Sequence, residues 1–196
     1  MASIHRRLFL ICMLLVLSGC AHSIRITPDP EKLPSADGIA RSTKSVGYYI
    51  SDEDRNRRVI TPGGGGDKVE YAPYRELEAG LYRVLNNVFE NVHLLKSIDD
   101  KAYVTDKGIV LVLRPTIATN SSSSSLFTWP PTDFEVIIEI KAMDTTGKVV
   151  WADTVSGKGQ ADFSEFKSDF SLTAKRASAA ALAQLQSRLL ASNLIR

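Results

Sequence analysis

Side-chain character alternates with a period of two along Phe134-Glu-Val-Ile-Ile-Glu-Ile140. Phe134, Val136, Ile138 and Ile140 share one face, while Glu135, Glu139 and the following Lys141 share the other with Ile137. That pattern specifies a strand with one dry and one wet side, and the dry side has to be covered. Asp144-Thr-Thr-Gly147 supplies a turn, and Lys148 to Ser156 returns with Val149, Trp151 and Val155, so the segment reads as a hairpin. Three further strands are predicted at Ser45–Ser51, Val92–Leu95 and Ile109–Leu113. The last is almost continuously apolar and should be covered on both faces or lie centrally, with Arg114-Pro115 ending or bending it. Two helices can provide the cover. Tyr71–Asn91 has Pro73 in its first turn and an apolar stripe of Leu77, Leu81, Val84, Leu85 and Val88. Ser168–Asn193, capped by Ser168 or Asp169, carries Ala174, Ala177, Ala181, Leu182, Leu185 and Leu189 on one side, small enough for close approach to a sheet. The order β-α-β-β-β-β-α predicts an α+β two-layer sandwich. Its mixed sheet has about five strands and both long helices on one face, with a parallel first crossover and an antiparallel later hairpin.

The amino end obeys a different logic. His5, Arg6 and Arg7 precede an apolar run from Leu8 to Leu17, followed by Ser18, Gly19 and Cys20. That is the order of an export signal. The run falls short of the roughly 20 residues that span a bilayer. Leu17-Ser18-Gly19-Cys20 resembles the lipobox of bacterial lipoproteins. The resemblance implies cleavage between Gly19 and Cys20, a diacylglycerol on the Cys20 sulfur and an acyl chain on its new amino group. Several chains on one residue anchor stably where a single chain is marginal. Ala21 rather than Asp at the next position implies sorting to the outer membrane, with the domain facing the periplasm. The organisation expected is a signal peptide at 1–19, a lipid-anchored tether at 20–44 and one periplasmic α+β domain at 45–196. Pro28, Pro30 and Pro34 punctuate the tether. In polyproline form it would extend at about 3.1 Å per residue and hold the domain tens of ångströms from the membrane. Within it, Ile24-Arg25-Ile26 is the piece able to pair as a short edge strand.

Composition narrows the chemistry. The chain holds 24 Lys and Arg against 22 Asp and Glu, and Arg6 and Arg7 leave with the signal, so the remainder is balanced. A balanced chain has no clustered basic footprint for nucleic acid. Cys12 leaves with the signal and Cys20 is spent on lipid, so no disulfide is available. No cofactor beyond the acyl groups and no metal is expected. His22 and His93 are the histidines left outside the signal, and Glu135 and Glu139 sit on a wet strand face. Asp52-Glu-Asp-Arg-Asn56 begins like a calcium loop, but Arg57 stands where glycine is needed and Gly63 where the bidentate glutamate belongs. Gly63–Gly66 lacks the Gly-Lys-Ser/Thr ending of a phosphate loop.

Two loops remain as contact candidates. The glycine turn (Thr61–Lys68) offers Gly64 and Gly65, and the serine arm (Ser121–Pro131) carries Leu126, Phe127 and Trp129 at its end. Five serines predict a flexible arm. Either it folds back to bury those side chains on the sheet, or it presents an apolar tip to a partner or a membrane.

Met143-Asp-Thr-Thr-Gly-Lys-Val-Val-Trp151 resembles the Asp-x-x-Gly-x-hydrophobic-hydrophobic-Trp hairpin of several small Gram-negative envelope lipoproteins. Among these are the curli-secretion lipoprotein, penicillin-binding-protein activators and YajG-type proteins. The element order is similar to the amino-terminal domain of TolB and to LptE. The resemblance implies a non-catalytic accessory, binding or assembly role in the cell envelope, with another envelope protein or a lipid-linked glycan as partner. The alternatives are a subunit of a larger ring or secretion complex and, third, a hydrolase of cell wall or lipid.

Overall fold

The computed structural model describes residues 21–195. Gly19 and Cys20, the expected cleavage and lipidation positions, lie outside the described residues. The elements are β1 (Ala21–Ser23), β2 (Ser42–Tyr49), α1 (Asp52–Asn56), β3 (Val59–Pro62), β4 (Lys68–Tyr71), α2 (Pro73–Val88), β5 (Phe89–Leu95), α3 (Lys101–Asp106), β6 (Ile109–Ser122), β7 (Asp133–Met143), β8 (Val149–Gln160), α4 (Phe163–Phe166) and α5 (Leu172–Ala191). The main sheet has five strands in the order β5-β2-β6-β7-β8. β2 runs parallel to both β5 and β6, and β6, β7 and β8 form an antiparallel meander. This is the mixed α+β sheet that the sequence predicts. A second, three-stranded sheet in the order β1-β4-β3 was not expected.

The period-two strand behaves as its pattern requires. Phe134, Val136, Ile138, Ile140 and Ala142 are buried in the main core on the side that α5 covers, while Glu135, Ile137 and Glu139 are half-exposed on the other side. Gly147 closes the turn into β8 at φ 86°, where its N–H meets the Asp144 carbonyl at 2.9 Å. The predicted stripes of both long helices are buried. α5 lies so close to β8 that a methyl group on Gly157 would strike the helix backbone at Ala177 and Ala181. Alanine on the helix and glycine on the strand together permit that approach.

The helix ends differ from expectation. Tyr71 belongs to β4, and Phe89 to Asn91 belong to β5, because α2 passes into the strand without a loop. Ser168 and Asp169 precede α5 rather than cap it. Asp169 accepts the Ser171 N–H at 2.9 Å and pairs with Lys175 Nζ at 2.9 Å.

Pro115 does not end β6. Beyond Leu113 the strand has no partner on its β2 side. Alternate N–H groups of a strand point the same way. The Ile117 N–H donates to the Tyr74 hydroxyl at 3.1 Å on that open side, so the Pro115 nitrogen faces the open side too. The proton it lacks would have met no strand, and β6 continues to Ser122 opposite β7.

Residues 21–44 do not form a free tether. Ser42–Lys44 already belong to β2, and the stretch before them is laid along the domain. Ile24 and Ile26 are 3 % and 0 % exposed. The Ile26 N–H donates to Glu76 Oε2 at 2.7 Å. The proline-rich backbone finds side-chain donors on the two helices. Arg83 reaches the Pro30 carbonyl at 3.0 Å, Asn87 the Pro34 carbonyl at 2.9 Å, and Gln186 the Ser35 carbonyl at 3.0 Å. Proline removes donors but leaves carbonyls that need partners, and here the helices supply them.

Candidate functional site

The two loops singled out as contact candidates lie against each other. β3 and β4 pair as a hairpin whose connection is Gly63–Asp67, closed by the Gly63 N–H on the Asp67 carbonyl at 2.9 Å. Gly65 and Gly66 adopt φ of 63° and 88°, a left-handed conformation natural to glycine. On top of this turn sits the serine arm. The Gly64 N–H donates to the Trp129 carbonyl at 2.8 Å, and the Gly65 N–H to the Ser125 carbonyl at 3.1 Å. A side chain at Gly63 would collide with the Trp129 carbonyl, and one at Gly64 with the Thr128 carbonyl. The glycines therefore admit the arm. Gly64 is buried beneath it and turns no free surface outward, which corrects its reading as a contact residue, whereas Gly65 remains exposed.

The serines order the arm instead of loosening it. Ser125 Oγ accepts the Phe127 and Thr128 N–H groups at 3.3 and 3.2 Å, and Ser123 Oγ accepts the Ser125 N–H at 3.1 Å. These are side-chain turns that satisfy a backbone otherwise without partners. At its base the knob is fastened by buried hydroxyls. Ser121 Oγ donates within a cluster that includes Thr61 Oγ1 at 2.6 Å, and the Tyr71 hydroxyl donates to Thr119 Oγ1 at 2.8 Å. Burial pushes the Tyr71 phenol up, against the hydrogen bonds to Thr119 and Thr61 that draw it down.

The three apolar residues of the arm part company. Trp129 folds back and stacks on the His22 ring, with centroids 4.2 Å apart and planes 18° apart, and meets Phe170 at 5.0 Å. Leu126 and Phe127 are left 80 % and 95 % exposed at the tip. The arm thus folds back at Trp129 and leaves an apolar tip exposed at Leu126 and Phe127. His22 had no assigned role in the sequence, and neither had Phe170. The signal that places His22 is the Ile24-Arg25-Ile26 alternation, which seats the preceding residues as β1 beside β4.

The knob holds little that reacts. His22 Nε2 lies 3.7 Å from Asp67 Oδ2, and among the described residues no serine hydroxyl hydrogen-bonds to it. No group of three or more His, Cys, Asp or Glu side chains able to hold a metal occurs among the described residues. His93 sits far along β5 against Tyr103. Glu135 and Glu139 pair with Lys158 and Lys141 on the wet face. Asp52–Asn56, which begins like a calcium loop, is the short helix α1, and its Arg55 binds Glu78 at 2.9 Å beside the buried Tyr48. Burial and the Glu78 carboxylate push the Tyr48 phenol up to about 12. A groove at the other end of the sheet is lined by Val104, Ile109, Met143 and Asp144, and Asp144 is tied into its own turn by Thr146, which holds its carboxyl below the usual range.

No protein-family model matches the chain, and no curated protein does. Among solved structures it is similar to a Xanthomonas campestris protein of the DUF330 family model, with 14% identity, coverage of 87% of this chain and 91% of that one, and a TM-score of 0.43. It is also similar to PelC from Paraburkholderia phytofirmans, a dodecamer, with 14% identity, coverage of 79% and 93%, and a TM-score of 0.45. Likeness at this level assigns neither ancestry nor activity.

Proposed function

We propose that the chain is an outer-membrane lipoprotein, acylated at Cys20 and facing the periplasm, that works by binding and not by turnover. The membrane is its first partner, through the lipid, and an envelope protein or lipid-linked glycan its second. The observation that carries the reading is the knob: two loops locked together by backbone hydrogen bonds and bearing an exposed Leu126-Phe127 tip, with no metal-holding cluster among the described residues. An enzyme needs such groups in mutual reach, and an accessory protein needs a rigid contact surface. Leu17-Ser-Gly-Cys20 supplies the anchor.

Mass analysis of the mature amino-terminal peptide tests the anchor. A Cys20 carrying diacylglycerol and an N-acyl group is expected, and Cys20→Ser should leave the chain unprocessed and out of the outer-membrane fraction. Turnover of a cell-wall or lipid substrate by the purified lipidated chain would overturn the binding role.

A further inference from the structure

The structure sets the serine arm against His22, two residues after Cys20 in the chain, and we infer that Leu126 and Phe127 insert into the same bilayer that holds Cys20. This rests on the anchor reading above and names the knob's ligand as a lipid surface.

The geometry follows from strand direction. β1 runs parallel to β4, with Ala21 beside Lys68 and His22 beside Val69. The amino end of β1 therefore lies at the same end of the small sheet as the glycine turn that leads into Lys68. Neighbouring strands are about 4.8 Å apart, and consecutive Cα atoms about 3.8 Å. Ala21, to which Cys20 is joined by one peptide bond, thus lies close to Lys68 and to the turn. The serine arm rests on that turn through Gly64 and Gly65, and Trp129 of the arm stacks on His22, the second residue after Cys20. A ring stack joins β1 to the arm, and hydrogen bonds join the arm to the glycine turn.

The packed amino-terminal stretch removes the stand-off that a free tether would have given. With Ile24 and Ile26 buried and Ala21–Ser23 paired as β1, the described chain is packed against the domain from its first strand onward. The acyl chains must then draw this end of the molecule down to the lipid surface. What meets that surface has suitable chemistry. From Asn120 to Thr132 there is no charged residue, so inserting the tip buries no ion. An exposed Phe and Leu backed by a tryptophan suit the interfacial region, where aromatic rings partition well. A leucine and a phenylalanine alone would bind weakly and reversibly, but beside an acyl anchor they act at high local concentration and fix the tilt of the domain.

The test uses the full chain, processed and lipidated in cells, purified in detergent and reconstituted into phosphatidylcholine–phosphatidylethanolamine vesicles. Cys12 leaves with the signal and the Cys20 sulfur is blocked by lipid, so an introduced cysteine is the sole free thiol. Phe127→Cys and, as a reference on the exposed β7–β8 turn at the other end of the sheet, Thr145→Cys are labelled with an environment-sensitive fluorophore. Nitroxide-bearing phospholipid should quench most of the emission from position 127 and leave position 145 unchanged. Leu126→Asp, at an exposed position that leaves the fold intact, should reduce the quenching at 127. Equal quenching at both positions, or none at 127 in a chain whose Cys20 is shown by mass to be acylated, overturns the insertion and leaves the anchor standing. An unacylated Cys20 with quenching at 127 overturns the anchor and leaves the insertion standing. An unacylated chain that does not float with vesicles overturns both.

Discussion

Replacing Gly64 by alanine places a methyl group under the serine arm. The new carbon would press on the Thr128 carbonyl oxygen and stand 2.8 Å from Ser123 Oγ. The carbonyl belongs to backbone and cannot rotate away as a side-chain end can. One escape is for the arm to lift. It then loses the Gly64 N–H bond to Trp129 and the Gly65 N–H bond to Ser125, 2.8 and 3.1 Å long, at about 1 kcal/mol each. The other is to keep the bonds and accept overpacking strain of about 1–3 kcal/mol. Either route costs about 2 kcal/mol, which for a chain of this size lowers the melting temperature by about 4–8 °C. Circular dichroism follows the melt. In a Trp151→Phe background, acrylamide quenching reports Trp129 alone among the described residues, and quenching should rise if the arm lifts. Ser124→Ala, exposed on the same arm, serves as reference and should stay within about 0.5 kcal/mol of the parent. A melting temperature unchanged to within about 1 °C with unchanged Trp129 quenching would refute the seating of the arm on the glycine turn.

Gly157→Val should destabilise by about 3 kcal/mol or more, because the side chain would meet the backbone of α5 at Ala177 and Ala181, and urea titration measures it. Ser178→Ala should stabilise by about 1 kcal/mol in the same assay. Its hydroxyl is fully buried on α5 without a hydrogen-bond partner, and alanine is the better helix former. The Tyr48 phenol is held up to about 12 by burial and Glu78, and Tyr71 is raised by burial. The folded state therefore keeps protons that the unfolded chain releases near pH 10, so their stabilising effect is complete below about pH 10 and is lost as the pH rises toward 12. Urea midpoints between pH 9 and 12 should fall, and less steeply in Tyr48→Phe; equal slopes would contradict the shift.

The main sheet and its two helices were legible because each obeys a local period. Alternation at Phe134–Ile140 and helical spacing from Leu77 to Val88 declare which side is dry without reference to any distant residue. Pro115 misled because its effect depends on which edge its nitrogen faces, and that is decided by how far β2 reaches along β6. The amino-terminal stretch misled for a similar reason. Three prolines in polar surroundings do read as a linker, and the donors that bind it, Arg83, Asn87 and Gln186, lie 53, 53 and 151 residues away.

The site divides along the same line. Exposed apolar residues and an unusual glycine turn were visible as separate features. Their junction was not, since no periodicity relates Gly64 to Trp129, and only the register of β3 with β4 and the length of β6 bring them together. The sequence by itself determined the secondary elements, the dry faces and the small residues on which close packing depends, because those are set by neighbours a few positions apart. Tertiary structure alone decided that the predicted tether is part of the body, and that Trp129 packs on His22 while Phe127 stays exposed. Those outcomes turn on contacts between distant segments, such as Pro62 with Ser121, 59 residues apart, and Ser35 with Gln186, 151 apart, for which the order of residues carries no local signal.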